Sequence, residues 1–327
     1  MAPFTELHFT EHDVRDGGSL ALFVEDRSRC GIYWLDFEDG ASYVGQSVNA
    51  RTRLASHRRR WSDVTTARFA ECRAERLDEL ELAVIQHVQR TRPLRNILLT
   101  SRPGGLDDLI VTIREGASLA LPWERERRGR LLEETVGPPS GRQTNASWER
   151  LRLHEDYPRL VSSLRTLLLE SFPSPAQTQE LLWTLTALPS TNRSAGWRRL
   201  CTLSAGRLEI LRVFEEDLNG QKVLHWFLNL HPEASRRRVR SALAETDAQD
   251  STVRRVAYRA VPERVWTIGA VGLGSLDALL EDEHVLDEAY RLVVMLMRQG
   301  LNPLRRHHNH PFASDVLRTS AIVPTTS

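Results

Sequence analysis

The chain has 327 residues, of which 41 % are hydrophobic and 27 % charged, and its formal net charge at pH 7 is +1. This length allows more than one hydrophobic core, and the composition is that of an ordinary globular protein. There is no run of about 18 apolar residues and no basic-then-apolar signal peptide, so we expect a cytoplasmic protein with no membrane partner. The near-neutral charge excludes a global basic field, and any nucleic-acid binding must rest on local clusters.

The first hundred residues predict a small module of three strands and two helices. The expected strands are residues 30–37, 41–47 and 64–72, and the expected helices are residues 50–61 and 75–90. The first two strands enclose a polar turn at 38–40, which is typical of a hairpin. Asn49 can cap the first helix, and Pro93 would stop the second.

The rest of the chain is predicted to form a larger mixed α/β region. Pro, Gly and polar residues at 135–147 indicate a linker between a domain at 1–134 and a domain at 148–327. The expected helices lie at 123–134, 148–171, 176–188, 235–245 and within 275–300, and the expected strands at 109–114, 208–214, 223–230, 253–261 and 265–271. Asn219-Gly220 is expected to lie in a long hairpin loop, and His307, His308 and His310 in a flexible polar tail.

Arginines are concentrated in two stretches of the first module. Residues 46–61 contain five arginines and no acid, and residues 88–106 contain four arginines and no acid. The first group comprises Arg51, Arg53, Arg58, Arg59 and Arg60. A guanidinium can hold a phosphate through two parallel hydrogen bonds, so Arg51 and the run 58–60 are candidates for contacts with a nucleic-acid backbone. A solvated helix face is the alternative interpretation of that run.

Four further residues of this module are expected to lie close together. Arg53 and His57 are four residues apart, so the predicted helix places both on one face. The hairpin can bring Tyr33 opposite the segment 43–45, which includes Tyr43, but the sequence leaves the strand register open. Gly45 would allow backbone or substrate to approach closely at this point.

Glu81 lies where an acid is unexpected. At about 100° per residue, one face of the second predicted helix forms an apolar stripe. That stripe comprises Leu77, Leu80, Val84, Ile85 and Val88. Glu81 falls within the stripe, whereas Glu79 points to the opposite side. Because a carboxylate among apolar side chains must be paired, protonated or bound to a cation, we predict that Glu81, and not Glu79, binds a metal ion.

These residues resemble the GIY-YIG nuclease family. Gly31-Ile32-Tyr33 and Tyr43-Val44-Gly45 match its two strand motifs, with valine in place of isoleucine in the second. Arg53 matches the arginine of the family's helix, and His57 matches a position held by histidine or tyrosine. Glu81 matches the metal-binding glutamate, and Asn96 matches the asparagine that closes the module. The resemblance covers about residues 30–100. It implies an α+β fold, in which a small three-stranded antiparallel sheet flanked by helices precedes the larger mixed α/β region.

The resemblance also implies a metal-dependent endonuclease that hydrolyses DNA phosphodiester bonds with one Mg²⁺ or Mn²⁺ ion per active site. Glu81 would hold the ion, Arg53 would contact the scissile phosphate, and either Tyr33 or His57 would be the general base. Tyr43 would orient water or phosphate, and Asn96 would tie the end of the module to the site. The alternatives are an RNA-cleaving nuclease and a catalytically inactive nucleic-acid-binding adaptor.

Residues 148–327 show no motif that points to a chemistry of their own. By analogy with domains appended to such nuclease modules, we expect them to supply substrate selection, partner binding or homo-oligomerisation. Restriction of foreign DNA and processing of branched or damaged DNA are both compatible with this organisation, and the sequence ranks neither.

Overall fold

The computed structural model of the protein describes residues 6–15, 29–96, 100, 102–105, 107–114, 117–128, 145–190, 196–246, 248 and 250–318. The chain divides into two compact units, Met1–Asp107 and Asp108–Ser327. The sequence predicted a boundary at residue 134, but residues 108–128 belong to the second unit, because Leu119 and Leu121 are fully buried in its core. Most of the predicted linker, residues 135–144, lies outside the described residues.

The first unit contains a four-stranded antiparallel sheet and two α-helices. The strands are β1 (Thr10–Asp13), β2 (Gly31–Phe37), β3 (Ser42–Ser47) and β4 (Val64–Glu71), and the helices are α1 (Ala50–Arg60) and α2 (Leu77–Val88). The strand order is β1-β4-β2-β3. The sheet therefore has four strands and not the predicted three, and the additional strand is β1 at one edge. The sequence analysis missed β1 because its four residues, Thr-Glu-His-Asp, are all polar and give no apolar alternation.

This sheet separates two cores. On one face, Tyr33, Leu35 and Phe69 pack against Leu54 of α1. On the other face, Val44 packs with the apolar stripe of α2, whose buried members are the five residues predicted from the sequence. The alternation of side chains along β2 and β3 sends neighbouring residues to opposite faces, so the two faces meet only around the free edge of β3.

The second unit contains a six-stranded antiparallel sheet of order β11-β12-β10-β9-β8-β7 and a separate hairpin, β5-β6. The strands are β5 (Leu109–Arg114), β6 (Ala117–Leu121), β7 (Trp183–Ala187), β8 (Trp197–Ala205), β9 (Leu208–Leu218), β10 (Gln221–Leu230), β11 (Thr252–Val256) and β12 (Val265–Val271). The helices are α3 (Ala146–Arg152), α4 (Tyr157–Ser171), α5 (Pro175–Thr178), α6 (Arg236–Ala244), α7 (Leu273–Leu279), α8 (Glu283–Met297) and α9 (His310–Leu317). One apolar cluster joins the sheet, the hairpin and these helices.

Several predictions for this unit were wrong. The predicted helix 176–188 contains only the single turn α5, because the residues after it pair with β8 as the strand β7. The predicted helix 148–171 is two helices, α3 and α4, and the described part of 123–134 contains only a short 3₁₀ turn at Arg125–Arg127. The predicted long hairpin loop is a tight turn, because β9 and β10 extend to Asn219 and Gly220, whose φ angles are 56° and 89°.

The histidines near the end of the described chain are part of the fold. His308 accepts a hydrogen bond from the backbone N–H of Leu185 on β7, and burial lowers its pKa to about 3. Helix α9 follows, and Phe312 is fully buried. The prediction that His307, His308 and His310 lie in a flexible polar tail is therefore wrong. None of the helices within the described ranges is long and apolar enough to cross a bilayer.

Candidate active site

Tyr33 and Gly45 form the centre of the candidate site. The two residues are direct partners in the β2-β3 ladder, and the Tyr33 side chain is fully buried. A Cβ added to Gly45 would lie 2.3 Å from Tyr33 Oη, far inside van der Waals contact. Gly45 is thus required because the tyrosine ring crosses its backbone. The sequence predicted an approach of backbone or substrate at this point, whereas the structure places the Tyr33 ring there.

Helix α1 places two side chains on the Tyr33 hydroxyl. His57 Nε2 lies 2.8 Å from Tyr33 Oη, and Arg53 donates from Nε to the same oxygen at 3.4 Å. A guanidinium can only donate, and the hydroxyl oxygen has two lone pairs, so Tyr33 Oη either donates to an unprotonated His57 Nε2 or accepts from a protonated one, according to the imidazole tautomer. The helical i,i+4 spacing predicted this juxtaposition, and Asn49 begins the helix by accepting from the Thr52 N–H.

The hydroxyl and the imidazole are both neutral at pH 7. Burial, reinforced by the neighbouring Tyr43, raises the pKa of Tyr33 above its ordinary value, although Arg53 acts in the opposite direction. Burial, followed by the positive charges of Arg53 and Arg60, lowers the pKa of His57 to about 4. The resting site therefore holds a neutral phenol hydrogen-bonded to a neutral imidazole, and of these two groups the imidazole is the one able to accept a proton.

Two aromatic rings fix the orientation of His57. The Trp61 ring lies parallel to the imidazole, with centroids 4.8 Å apart and an interplanar angle of 6°. The Tyr43 ring lies 5.1 Å from the imidazole and 4.9 Å from Trp61. The sequence analysis did not include Trp61, although its position four residues after His57 was a signal for contact on one helix face.

Glu81 is a half-buried acid whose charge is poorly compensated. Burial raises its pKa to about 7; the charge of Asp78 acts in the same direction, whereas hydrogen bonding to Gln46 of β3 and the charge of Arg53 lower it. The charge of Arg53, which lies on the α1 side of the sheet, is the smallest of these influences on the pKa of Glu81. Glu79 is exposed and pairs with Arg76, as expected for the residue on the solvated side of the helix.

These residues fit one hard divalent cation. A cation beside Glu81 would favour the ionised carboxylate that burial now disfavours, and oxygen ligands suit Mg²⁺ or Mn²⁺. Within the described part of the chain, no three His, Cys, Asp or Glu side chains are grouped as a metal site. Glu81 would accordingly supply the protein carboxylate, and water or substrate would complete the coordination, as Mg²⁺ commonly requires.

Asn96 supports the free edge of β3 and does not face the ring cluster. Its side-chain oxygen accepts from the Val44 N–H at 2.9 Å, and its amide donates to the Val44 carbonyl at 2.7 Å. Asn96 is buried, so it satisfies two backbone groups that an edge strand would otherwise leave unpaired. It is a positioning residue that holds the strand carrying Tyr43 and Gly45.

The arginines of α1 extend from the site to the surface. Arg51 is half-buried, Arg59 is exposed, and the exposed Arg60 places its guanidinium 5.1 Å from the centre of the Trp61 ring. The side chain of Arg58 lies outside the described atoms. Since α1 contains no acid, its arginines form a basic surface next to His57.

Comparisons with known proteins assign no family to this chain. No protein-family model, curated protein or solved structure matches it. The resemblance to the GIY-YIG nucleases therefore stays a prediction, based on seven residues. Of these, Tyr33, Gly45, Tyr43, Arg53 and His57 lie together, Glu81 lies on α2, which packs on the other face of the sheet, and Asn96 holds β3.

Proposed function

We propose that residues 29–96 are the catalytic module of a metal-dependent endonuclease that hydrolyses DNA phosphodiester bonds. The observation that carries this proposal is the contact of Tyr33 Oη with both His57 Nε2 and Arg53 Nε. A hydroxyl between a neutral base and a cation is suited to deprotonating a water molecule beside a bound phosphate. The basic surface of α1 would receive the nucleic-acid backbone.

The arrangement supports a proton relay that gives both candidate bases a role. Tyr33 Oη takes a proton from the attacking water while its own proton passes to His57 Nε2, so the phenol ends the step neutral. The hydroxide oxygen forms the new bond to phosphorus as the bond to the leaving oxygen breaks. Arg53 holds the phosphate and offsets its developing negative charge. A divalent cation held by Glu81 would supply Lewis-acid stabilisation of the phosphate and the leaving oxygen.

The low pKa of His57 is a property of the resting site. Part of its cause is the positive charge of Arg53 and Arg60. A phosphodiester bound to Arg53 cancels part of this charge, so the pKa of His57 rises when substrate binds. The substrate thereby makes His57 a stronger base at the moment that it is needed.

Cleavage of supercoiled plasmid with Mg²⁺ or Mn²⁺ tests the proposal. Glu81→Gln and His57→Ala should reduce the rate by about 10²–10⁴-fold, the usual contribution of such groups. Glu79→Gln, two residues away on the exposed side of α2, is the matched control and should cut normally. Circular dichroism should show that all three variants are folded. Normal cutting by Glu81→Gln would refute the metal assignment.

The substrate range is tested with single-stranded, duplex, branched and methylated DNA and with RNA. Cleavage of RNA alone would reassign the substrate. If the folded protein binds nucleic acid but cuts none of these, the nuclease proposal is wrong and the module is a binding adaptor. Preference for branched over linear duplex would favour processing of branched DNA over restriction of foreign DNA.

The relay makes a separate prediction for Tyr33 and His57. Because they would act in one step, the double variant Tyr33→Phe/His57→Ala should be about as slow as the slower single variant. If the two losses multiply, the side chains act independently and the relay is refuted.

A further inference from the structure

The face of the six-stranded sheet opposite its apolar core is polar at β7 and β8. Trp183 and Leu185 point into the core, so the residues between and after them point the other way. Four hydroxyl side chains form two cross-strand pairs there, Thr184 with Ser204 and Thr186 with Thr202. Three of these four side chains are buried, and only Thr186 is half-buried.

A cleft lies over these hydroxyls. A cavity of about 490 Å³ is lined by all four of them and by Arg199 and Glu209. A neighbouring cavity of about 330 Å³ is lined by Trp197 and Arg198. The two cavities share their lining at Arg150, Leu188, Pro189 and Arg199, so they lie side by side, and together they are called the cleft. Its size is in the range of small-molecule sites.

Arg199 is a buried charge with a donor to spare. Its side chain is only 5 % exposed; Nη1 donates to Glu209 at 2.6 Å and to Thr202 Oγ1 at 3.3 Å. The guanidinium lies 5.0 Å from the centre of the Phe214 ring, which holds it against the sheet. Its Nε–H has no acceptor among the residues that the structure describes.

The chemistry of the lining indicates the class of ligand. Arg199 pairs with Glu209 and Arg198 lies 3.9 Å from Glu215, and the charge of Arg150 is added to these pairs, so the cleft favours an anion. Thr186, the least buried of the four hydroxyl residues, offers a donor and an acceptor to a sugar, and Trp197 with its apolar neighbours offers a surface for a flat ring.

We propose that this cleft binds one nucleotide. The arginines hold its phosphate, the Thr186 hydroxyl contacts its sugar, and the Trp197 side of the cleft receives its base. This site lies wholly within the second unit and does not depend on the nuclease chemistry proposed for the first.

Isothermal titration of the full-length protein with AMP, adenosine, ribose 5-phosphate and inorganic phosphate tests this proposal. AMP should bind more tightly than each of the three partial ligands, because only AMP engages all parts of the cleft. Arg150→Gln, at an exposed position, and Arg199→Gln should each weaken AMP binding by about tenfold or more, as expected when a charge-assisted hydrogen bond is lost. A thermal unfolding scan identifies any variant that fails to fold.

Arg212→Gln is the matched control. Arg212 lies on the same face, contacts Glu209 and stacks over Phe227, but does not line the cleft. This variant should bind AMP like the wild type. A short single-stranded oligonucleotide with a terminal phosphate distinguishes a free nucleotide from the end of a nucleic-acid chain: competition by the oligonucleotide assigns the chain end, and its absence assigns the free nucleotide.

Two results would overturn the proposal. One is the absence of measurable AMP binding at millimolar concentration. The other is AMP binding that Arg150→Gln leaves unchanged in a folded protein. Either result leaves plasmid cleavage by the first unit untouched, so this inference and the proposed function can fail separately.

Discussion

The raised pKa of Glu81 predicts that metal binding depends on pH near neutrality. Because burial raises this pKa to about 7, the carboxylate is about 10 % ionised at pH 6 and about 90 % ionised at pH 8. Only the ionised form binds a cation, so the apparent affinity for Mn²⁺ should increase about tenfold across this range. An ordinary glutamate is ionised at both pH values and would give no change. His57, with a pKa of about 4, stays neutral throughout and adds nothing to the difference.

Titration of the metal-free protein with Mn²⁺, followed by electron paramagnetic resonance at pH 6, 7 and 8, measures this dependence. Glu81→Gln should remove the binding. Glu79→Gln should retain both the binding and its tenfold pH dependence, since Glu79 is exposed and paired with Arg76. Equal affinity at pH 6 and pH 8 would refute the reasoning, and so would wild-type binding by Glu81→Gln.

The same pKa has a consequence for stability in the absence of metal. The folded state binds the proton of Glu81 more tightly than the unfolded state, so the contribution to stability is present below about pH 4.5 and is lost as the pH rises to about 7. At pH 8 with a chelator, Glu81→Gln should therefore be more stable than the wild type by about 1–2 kcal/mol, after allowing for partial solvent screening. Urea unfolding of both proteins at pH 5 and pH 8 measures the difference, and an equal difference at the two pH values would contradict the pKa shift.

Variants at three further residues test the packing of the site. Gly45→Ala should lower the free energy of unfolding by about 1–3 kcal/mol or displace the ring of Tyr33, because the added methyl overlaps it; unchanged stability and activity would mean that the strand adjusts. Asn96→Ala should cost about 2–4 kcal/mol in urea unfolding, because two buried backbone groups lose their partners, and Asn96→Asp should recover only part of it. Trp61→Leu should leave the unit folded but slow plasmid cleavage, because His57 loses the ring that orients it; a normal rate would limit Trp61 to packing.

Most of the first unit could be predicted from the sequence, because its signals are local. The alternation in β2 and β3, the Asn49 cap of α1 and the apolar stripe of α2 each act within a few residues, and the observed bounds lie within one or two residues of those expected. The spacing of Arg53 and His57 likewise predicted that they share a face. The edge strand β1 gave no such signal, since it forms only because β4 offers it a partner.

Long-range pairing decided the rest. The segment 183–187 becomes a strand because β8 lies beside it, and without knowledge of β8 its apolar residues were equally compatible with a helix. Long-range pairing also sets the register that places Tyr33 opposite Gly45. A shift of one residue would turn the tyrosine to the other face of the sheet, and nothing local forbids that shift. The sequence by itself determined which residues could do chemistry and on which helix face they lie. Only the tertiary structure placed Tyr33, Arg53 and His57 on one face of the sheet and the helix that carries Glu81 on the other, because that arrangement is set by strand pairing and long-range packing.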